Sequence, residues 1–337
     1  MLNNSTILIT GGTGSFGKAF AERILNNYEP KKIIILSRDE FKQDLMQKQM
    51  ILKLGKEKAS KLRFFIGDVR DKERLYRAFR GVDYVVHAAA MKQVPACEYN
   101  PFEAIKTNVH GAQNIIDAAL DCGVKKVVAL STDKAVNPIN LYGGTKLVSD
   151  KLFISANAYS GNHGTIFSVV RYGNVSGSRG SVIPFFMQLL DKGITELPIT
   201  DDRMTRFWMT LDDAVDLVFK AIEESKGGET YVFKNPSYKV TDIAKALNPN
   251  GTMRIVGIRE GEKLHECMIT SDDSRGTYEY EDYYIIYPNF TWWNKERFFK
   301  EGGILIEEGW EYNSGTNKIW LSENQLREMI NSLDIEY

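Results

Sequence analysis

The sequence predicts an α/β fold: a doubly wound parallel sheet with a smaller lobe built from the C-terminal half. Three observations carry that prediction. Short apolar runs alternate with longer amphipathic segments through residues 1–176, a glycine-rich turn follows the first run, and a Ser-Thr pair ends a later one.

The runs fall at 6–9, 33–36, 64–66, 84–86, 127–130 and 166–170. Each is short and mainly apolar on both faces, as a strand between two helical layers must be. Between them the periodicity is helical; Ala104, Thr107, Asn108, Ala112, Ile115 and Ile116 share one face. Strands alternating with helices imply βαβ units. Beyond Gly177 the alternation gives way to short mixed segments. These carry Arg179, Arg203 and Arg206, then the cluster Arg259, Glu260, Glu262 and Lys263. The expected division is a Rossmann-type domain over 1–176 and a mainly ligand-binding lobe over 177–337, some of whose segments return to the first domain. Such a lobe closes over the carboxyl edge of the sheet, where these folds bind ligands. A late aromatic stretch (Tyr278, Tyr280, Tyr283, Tyr284, Trp292, Trp293) is expected to pack against the lobe or another subunit. It is too acidic to stack nucleic-acid bases.

Composition excludes several classes of partner. With 337 residues, 43% of them hydrophobic, the chain buries a core without disulfides or metals. A net charge of -1 leaves no bulk field for nucleic acid or an anionic membrane. No apolar run approaches the ~20 residues that span a bilayer, and the N-terminus lacks a signal-peptide pattern. Cys97, Cys122 and Cys267 have no metal-like spacing. Reduced thiols, no metal and a cytoplasmic setting are the expectation.

The first run is followed by Gly11, Gly12, Thr13, Gly14, Ser15, Phe16 and Gly17, and then a helix. Glycines there let backbone approach a pyrophosphate held at the helix N-terminus. The second run ends Leu36-Ser37-Arg38-Asp39. A carboxylate at that strand end would grip the ribose of NAD; Ser37 and Arg38, with Lys42 a turn later, suit the 2′-phosphate of NADP instead. Asp39 reads as a helix N-cap. Asp68-Val69 after the third run and Ala88-Ala89 after the fourth complete the expected cofactor cleft.

The fifth run delivers Ser131-Thr132-Asp133-Lys134, and a helix is expected to begin near Tyr142. Lys146 lies one helical turn beyond, on the face of Tyr142. An ammonium beside a phenol stabilises phenolate and lowers its pKa, making a base for a sugar hydroxyl. Both Tyr142 and Lys146 are also expected to touch the cofactor.

The glycine turn, the Ser-Thr strand end and the Tyr-x-x-x-Lys pair resemble the extended short-chain dehydrogenase/reductases that modify nucleotide sugars. Residues 131–142, 171–180 and 203–208 resemble in particular the inverting UDP-N-acetylglucosamine 4,6-dehydratases of pseudaminic acid biosynthesis. Retaining relatives carry Asp-Glu where this chain has Asp133-Lys134. The resemblance implies that Tyr142, aided by Thr132 and Lys146, deprotonates the 4-hydroxyl as hydride leaves C4 for NADP. Lys134 then takes the C5 proton and Asp133 protonates the departing 6-hydroxyl, before hydride returns to C6 and C5 is reprotonated on the opposite face. Asp133 must then be protonated and Lys134 neutral, so one pKa is expected raised and the other lowered. The resemblance also assigns the UDP-sugar to Lys92, Asn174, Arg206, Arg259 and Glu262, the two arginines as bidentate diphosphate clamps. It implies a homo-oligomer, a hexamer built from dimers being one arrangement. Gln93 stands where the pseudaminic enzymes carry His, and Gln is frequent in related L-fucosamine-pathway enzymes, which lack the tyrosine kept here. A retaining or L-fucosamine-pathway dehydratase/epimerase and a UDP-hexose 4-epimerase stay open as alternatives.

Overall fold

A computed structural model describes residues 1–161, 164–177, 181–291, 293–294 and 298–333. Arg179 and Trp292 lie outside these residues. The first half runs β1 (Thr6–Thr10), α1 (Ser15–Asn27), β2 (Lys32–Ser37), α2 (Glu40–Ala59), β3 (Leu62–Ile66), α3 (Lys72–Phe79) and β4 (Tyr84–His87). After β4 come the short helices α4 (Val94–Tyr99) and α5 (Pro101–Ile105), a π-helical turn (Lys106–His110) and α6 (Gly111–Asp121). Then follow β5 (Lys126–Thr132), α7 (Leu141–Tyr159) and β6 (Ile166–Tyr172). All six expected strands are present. Within them alternate residues serve opposite layers: Ile7, Ile9, Ile33 and Ile35 join one core, while Leu8, Ile34 and Leu36 join the other. This two-sided burial is why the runs are apolar on both faces.

The second half continues with α8 (Val182–Asp191), β7 (Glu196–Ile199), β8 (Thr205–Phe207), α9 (Leu211–Glu224), β9 (Thr230–Phe233), β10 (Ser237–Lys239) and α10 (Val240–Leu247). It closes with β11 (Thr252–Ile255), β12 (Cys267–Ile269), β13 (Thr277–Glu279), β14 (Tyr283–Ile286), β15 (Ile304–Leu305), β16 (Tyr312–Asn313) and α11 (Glu323–Asn331). The central sheet has ten strands in the order β15-β13-β14-β9-β6-β5-β4-β1-β2-β3. Strands β1 to β6 and β9 are parallel, and β14, β13 and β15 extend the edge antiparallel. The connections from β1 diverge to β2 and β4, which opens a crevice at the carboxyl ends of the strands.

The late tyrosines pack differently from expectation. Tyr280, Tyr283 and Tyr287 join the core of the large sheet, with the Tyr283 ring 6.1 Å from Tyr231 of β9. Pairing of β14 with β9 carries them there. A separate core forms the lobe from Ile183, Phe186, Leu197, Ile199, Trp208, Ile243 and Leu326.

Candidate active site

The turn after β1 admits only glycine at two points. A Cβ on Gly11 (φ 64°) would stand 2.8 Å from the Ala89 backbone nitrogen, and one on Gly17 would stand 2.5 Å from the Gly12 Cα. Strand end, turn and helix are thus in backbone contact. Gly14 caps α1 without a side chain and the first turn holds no acidic residue, so its N–H groups stay available to an anion. The Thr10 hydroxyl ties β1 to β4. It accepts from the Ala89 N–H (3.2 Å) and meets His87 Nδ1 at 2.8 Å. Burial pushes the His87 imidazole down to about 3, with the Lys146 charge adding to the effect.

A cleft of about 1910 Å³ runs along the carboxyl edge. Gly11, Thr13, Gly14, Ser15, Phe16 and Gly17 line one end, with Ser37, Arg38, Lys42, Asp68, Val69, Ala88 and Ala89 beside them. Its size leaves room for a dinucleotide and a second ligand together. The residues present fit a dinucleotide, because the glycines clear the space its pyrophosphate needs. Asp39 caps α2, accepting from the Lys42 N–H at 3.0 Å. Arg38 is 68% exposed and 3.9 Å from Asp68, leaving its guanidinium mostly in solvent at the cleft rim. Ser37 is buried, its hydroxyl accepting from Gln43 Nε2 at 2.9 Å. Gln43 also donates to the Ser37 and Phe65 carbonyls and stitches β2 to β3. Asp68 receives Arg70 Nη2 at 2.7 Å; burial opposes its charge, but the Arg70 bonds outweigh burial and hold its pKa low.

The other end of the cleft holds Thr132, Lys134, Tyr142, Lys146, Lys92 and Asn174. Directly after β5, Asp133–Ala135 form one 3₁₀ turn. The Thr132 hydroxyl donates to Asp133 Oδ1 (2.8 Å) and accepts from the Lys134 N–H (3.3 Å). Asn140 caps α7 by accepting from the Gly143 N–H at 2.8 Å, which sets Tyr142 and Lys146 on one face. Helix and turn meet backbone to backbone, since a Cβ on Gly143 would lie 2.0 Å from the Lys134 carbonyl oxygen.

Charge in this cluster departs from the sequence expectation at three points. Asp133 is fully buried, yet its carboxyl sits well below the usual carboxylate range. Burial works against its charge and is overcome by the Lys134 ammonium and by hydrogen bonds with Glu266, Thr132 and Lys134. Lys134 Nζ lies 3.3 Å from Asp133 Oδ1 and 3.1 Å from Asn174 Oδ1. Burial would lower its pKa, but the charges of Asp133 and Glu266 raise it. The pair is therefore an ion pair, not the acid and neutral amine expected. Tyr142 is raised rather than lowered, first by burial and then by Asp133. The expected rescue is weak because Lys146 is buried too, which lowers its own pKa against the pull of Asp150.

Three expected sugar ligands, Arg206, Arg259 and Glu262, do not line the cleft. Arg206 is turned inward, 13% exposed, with Nε 3.2 Å from Glu266 Oε1 and Nη1 donating to the Thr205 and Leu264 carbonyls. A clamp role fails in this arrangement because its donors are committed. Arg203 is exposed and paired with Asp201 at 2.8 Å. Arg259 and Glu262 share a loop in which Glu262 Oε2 accepts from the Arg259 N–H (3.3 Å). That loop docks beside the catalytic turn, with Asn140 donating to the Gly261 carbonyl at 3.0 Å and Lys263 donating to the Val136 carbonyl.

Four site residues escaped sequence reasoning. Glu266 contacts Asp133 and Arg206. Asp150 accepts from Ser131 and faces Lys146; its position one turn beyond Lys146 was a usable signal. Asn108, in the π-helical turn, holds the Met91 backbone on both sides at 2.8 Å. Gln43 anchors Ser37.

Fold and cleft together are those of a dinucleotide-binding enzyme of the extended short-chain dehydrogenase/reductase class. The model of the polysaccharide biosynthesis protein family matches residues 7–288, and the chain belongs to that family. It is 56% identical over 336 residues to the inverting UDP-N-acetylglucosamine 4,6-dehydratase of Campylobacter jejuni subsp. jejuni serotype O:2, covering 98% of each chain. It is 42% identical to the UDP-glucose 4-epimerase of Rickettsia typhi, covering 99% of this chain and 97% of that one. Among solved structures it superposes on Pen from Bacillus thuringiensis with a TM-score of 0.88 at 37% identity, covering 100% of both chains. Among the described residues no helix is long and apolar enough to cross a membrane.

Proposed function

We propose that this protein is a hydro-lyase that dehydrates UDP-N-acetylglucosamine with inversion at C5. The product is UDP-2-acetamido-2,6-dideoxy-β-L-arabino-hex-4-ulose, which would enter pseudaminic acid biosynthesis. The observation that carries the reading is the Asp133–Lys134 ion pair, whose lysine lines the cleft beside Tyr142 while the aspartate is buried directly behind it. A 4-epimerase needs the Tyr142 and Lys146 couple but has no use for a second acid/base pair at C5 and C6. The relative named as a UDP-N-acetylglucosamine 4,6-dehydratase is also more similar than the one named as an epimerase.

Bound NADP would take up a hydride from the sugar and give it back. Tyr142 receives the proton of the 4-hydroxyl as a phenolate, which burial disfavours and which the Thr132 hydroxyl, the Lys146 ammonium and the positive charge of a bound nicotinamide would favour. A 4-ketone acidifies the C5 hydrogen, which Lys134 removes while Asp133 protonates the 6-hydroxyl as it leaves. Lys92 and Asn174 line the cleft beside this cluster and would contact the sugar nucleotide there. Arg259 and Glu262, on the loop docked at Asn140, would serve its uridine diphosphate end, as the family resemblance implies. A cytoplasmic homo-oligomer belongs to the same reading.

The test is turnover of UDP-N-acetylglucosamine in D2O followed by NMR. The expected product carries deuterium at C5 and L-arabino ring couplings from the earliest time points. Early D-xylo product alone would indicate a retaining dehydratase, and a C4 epimer without loss of water would indicate an epimerase. Lys134→Ala should stall after oxidation, with a reduced-cofactor absorbance that does not decay.

A further inference from the structure

The acid of this site starts without its proton, and the structure holds a neighbour that has one. Glu266 lies just ahead of β12, buried to the same degree as the core, with its backbone N–H on the Ser314 hydroxyl at 2.9 Å. Its Oε1 takes Arg206 Nε at 3.2 Å. Its Oε2 is buried and receives no N–H or hydroxyl donor among the described residues. Its carboxyl is hydrogen-bonded to that of Asp133, which Lys134 and Thr132 also hold. Two ionised carboxylates cannot touch out of water, so a proton must lie between them. We propose that Asp133 and Glu266 hold one resting proton between them, and that this proton, by stabilising the carboxylate Asp133 leaves behind, makes Asp133 a working acid.

Four ionisable groups face Glu266: Asp133 and Lys134 from the 3₁₀ turn, Arg206 from β8 and Tyr238 from β10. Asp133 faces the Lys134 ammonium, so in the resting pair Glu266 carries the proton; burial, followed by the Asp133 charge, pushes it up to about 8. The reactive form, which rests on the dehydratase reading above, is one proton transfer away. A proton passes from Lys134 Nζ to Asp133 across 3.3 Å. Lys134 is then a neutral amine, and both carboxyls are protonated. In the elimination Asp133 gives its proton to the 6-hydroxyl, the C6–O bond breaks, water leaves, and the C5 proton goes to Lys134. The cluster returns to its resting charges, with the Glu266 O–H stabilising the Asp133 carboxylate that forms. Glu266 acts through Asp133 and is a positioning residue. Once Glu266 ionises, the carboxylate that Asp133 becomes in the elimination loses its O–H donor and meets a second negative charge, and the same charge holds the proton on Lys134, so activity falls on the alkaline side.

Glu266→Gln keeps the shape, the Arg206 contact and a donor toward Asp133, but cannot ionise. Infrared titration of the purified protein should reveal a protonated carboxyl at neutral pH that vanishes in Glu266→Gln. The alkaline limb of the kcat/KM profile should rise by about one pH unit or more in that variant. Glu266→Ala should lose kcat rather than raise KM. Absence of the neutral-pH carboxyl band, or an alkaline limb unmoved in Glu266→Gln, would overturn the proposal. A band that is present in a wild-type protein unable to dehydrate the sugar would instead bring down the functional reading, and the shared proton would stand.

Discussion

Gly143→Ala should inactivate the enzyme while Gly144→Ala, one residue on, should not. Both glycines lie in the first turn of α7, directly after Tyr142. A methyl at 143 would stand 2.0 Å from the Lys134 carbonyl oxygen and 3.0 Å from Pro138 Cβ, whereas a methyl at 144 meets nothing within 4 Å. Real Cβ atoms essentially never approach closer than 3.0 Å, so the catalytic turn and the helix must separate by about 1 Å. Misplacement on that scale costs catalysis on the order of 100-fold. For stability, Ala in place of helical Gly gains about 0.5–1 kcal/mol, and overpacking costs about 1–3 kcal/mol. Gly144→Ala should therefore gain the first amount, and Gly143→Ala should lose up to about 2.5 kcal/mol net. Denaturant unfolding reads the stabilities and NMR of UDP-N-acetylglucosamine turnover reads the rates. A Gly143→Ala variant with wild-type stability and rate would refute the argument that backbone contact at 143 positions Lys134 against Tyr142.

Tyr142→Phe removes the base for the 4-hydroxyl and should cost ~10²- to 10⁴-fold; a variant within a few-fold of wild type that still binds cofactor would take Tyr142 out of the mechanism. Nucleotide released on denaturation should be NADP by mass spectrometry, from Ser37, the solvent-facing Arg38 and Lys42, and recovery of NAD alone would overturn that. His87, buried and neutral, titrates at about 3 in the folded protein. Its folded pKa is depressed, so the stability it confers is complete above its unfolded pKa of ~6.5 and falls by about 1.4 kcal/mol per pH unit below it. Denaturant unfolding across about pH 4 to 7 should give a shallower acid loss for His87→Gln than for wild type, and equal slopes would contradict the assignment.

What could be read before folding was local and periodic. Six strands were legible because a strand buried on both faces must be apolar throughout, as in Thr6–Thr10 and Lys32–Ser37. The glycine turn was legible because only glycine permits the contact of Gly11 with Ala89 and of Gly17 with Gly12. Asp39 as a cap needed no more than its position before a helix. Tyr142 and Lys146 share a face by the helical repeat alone.

The sequence by itself thus determined the first six strands of the sheet, the glycine cradle and the residues of the catalytic turn, while β9, β13, β14 and β15 joined the sheet only in the folded chain. Tertiary structure decided how those residues are charged and what holds them. Glu266 reaches Asp133, and Arg206 reaches Glu266, through chain segments far apart in sequence, so no spacing rule could pair them. Burial then set the directions of the pKa shifts: Tyr142 and Glu266 rise and Lys146 falls because each is out of water, while the contact with Lys134 keeps Asp133 ionised. Desolvation and contact distance are properties of depth and neighbours, and neither exists until the lobe has closed on the sheet.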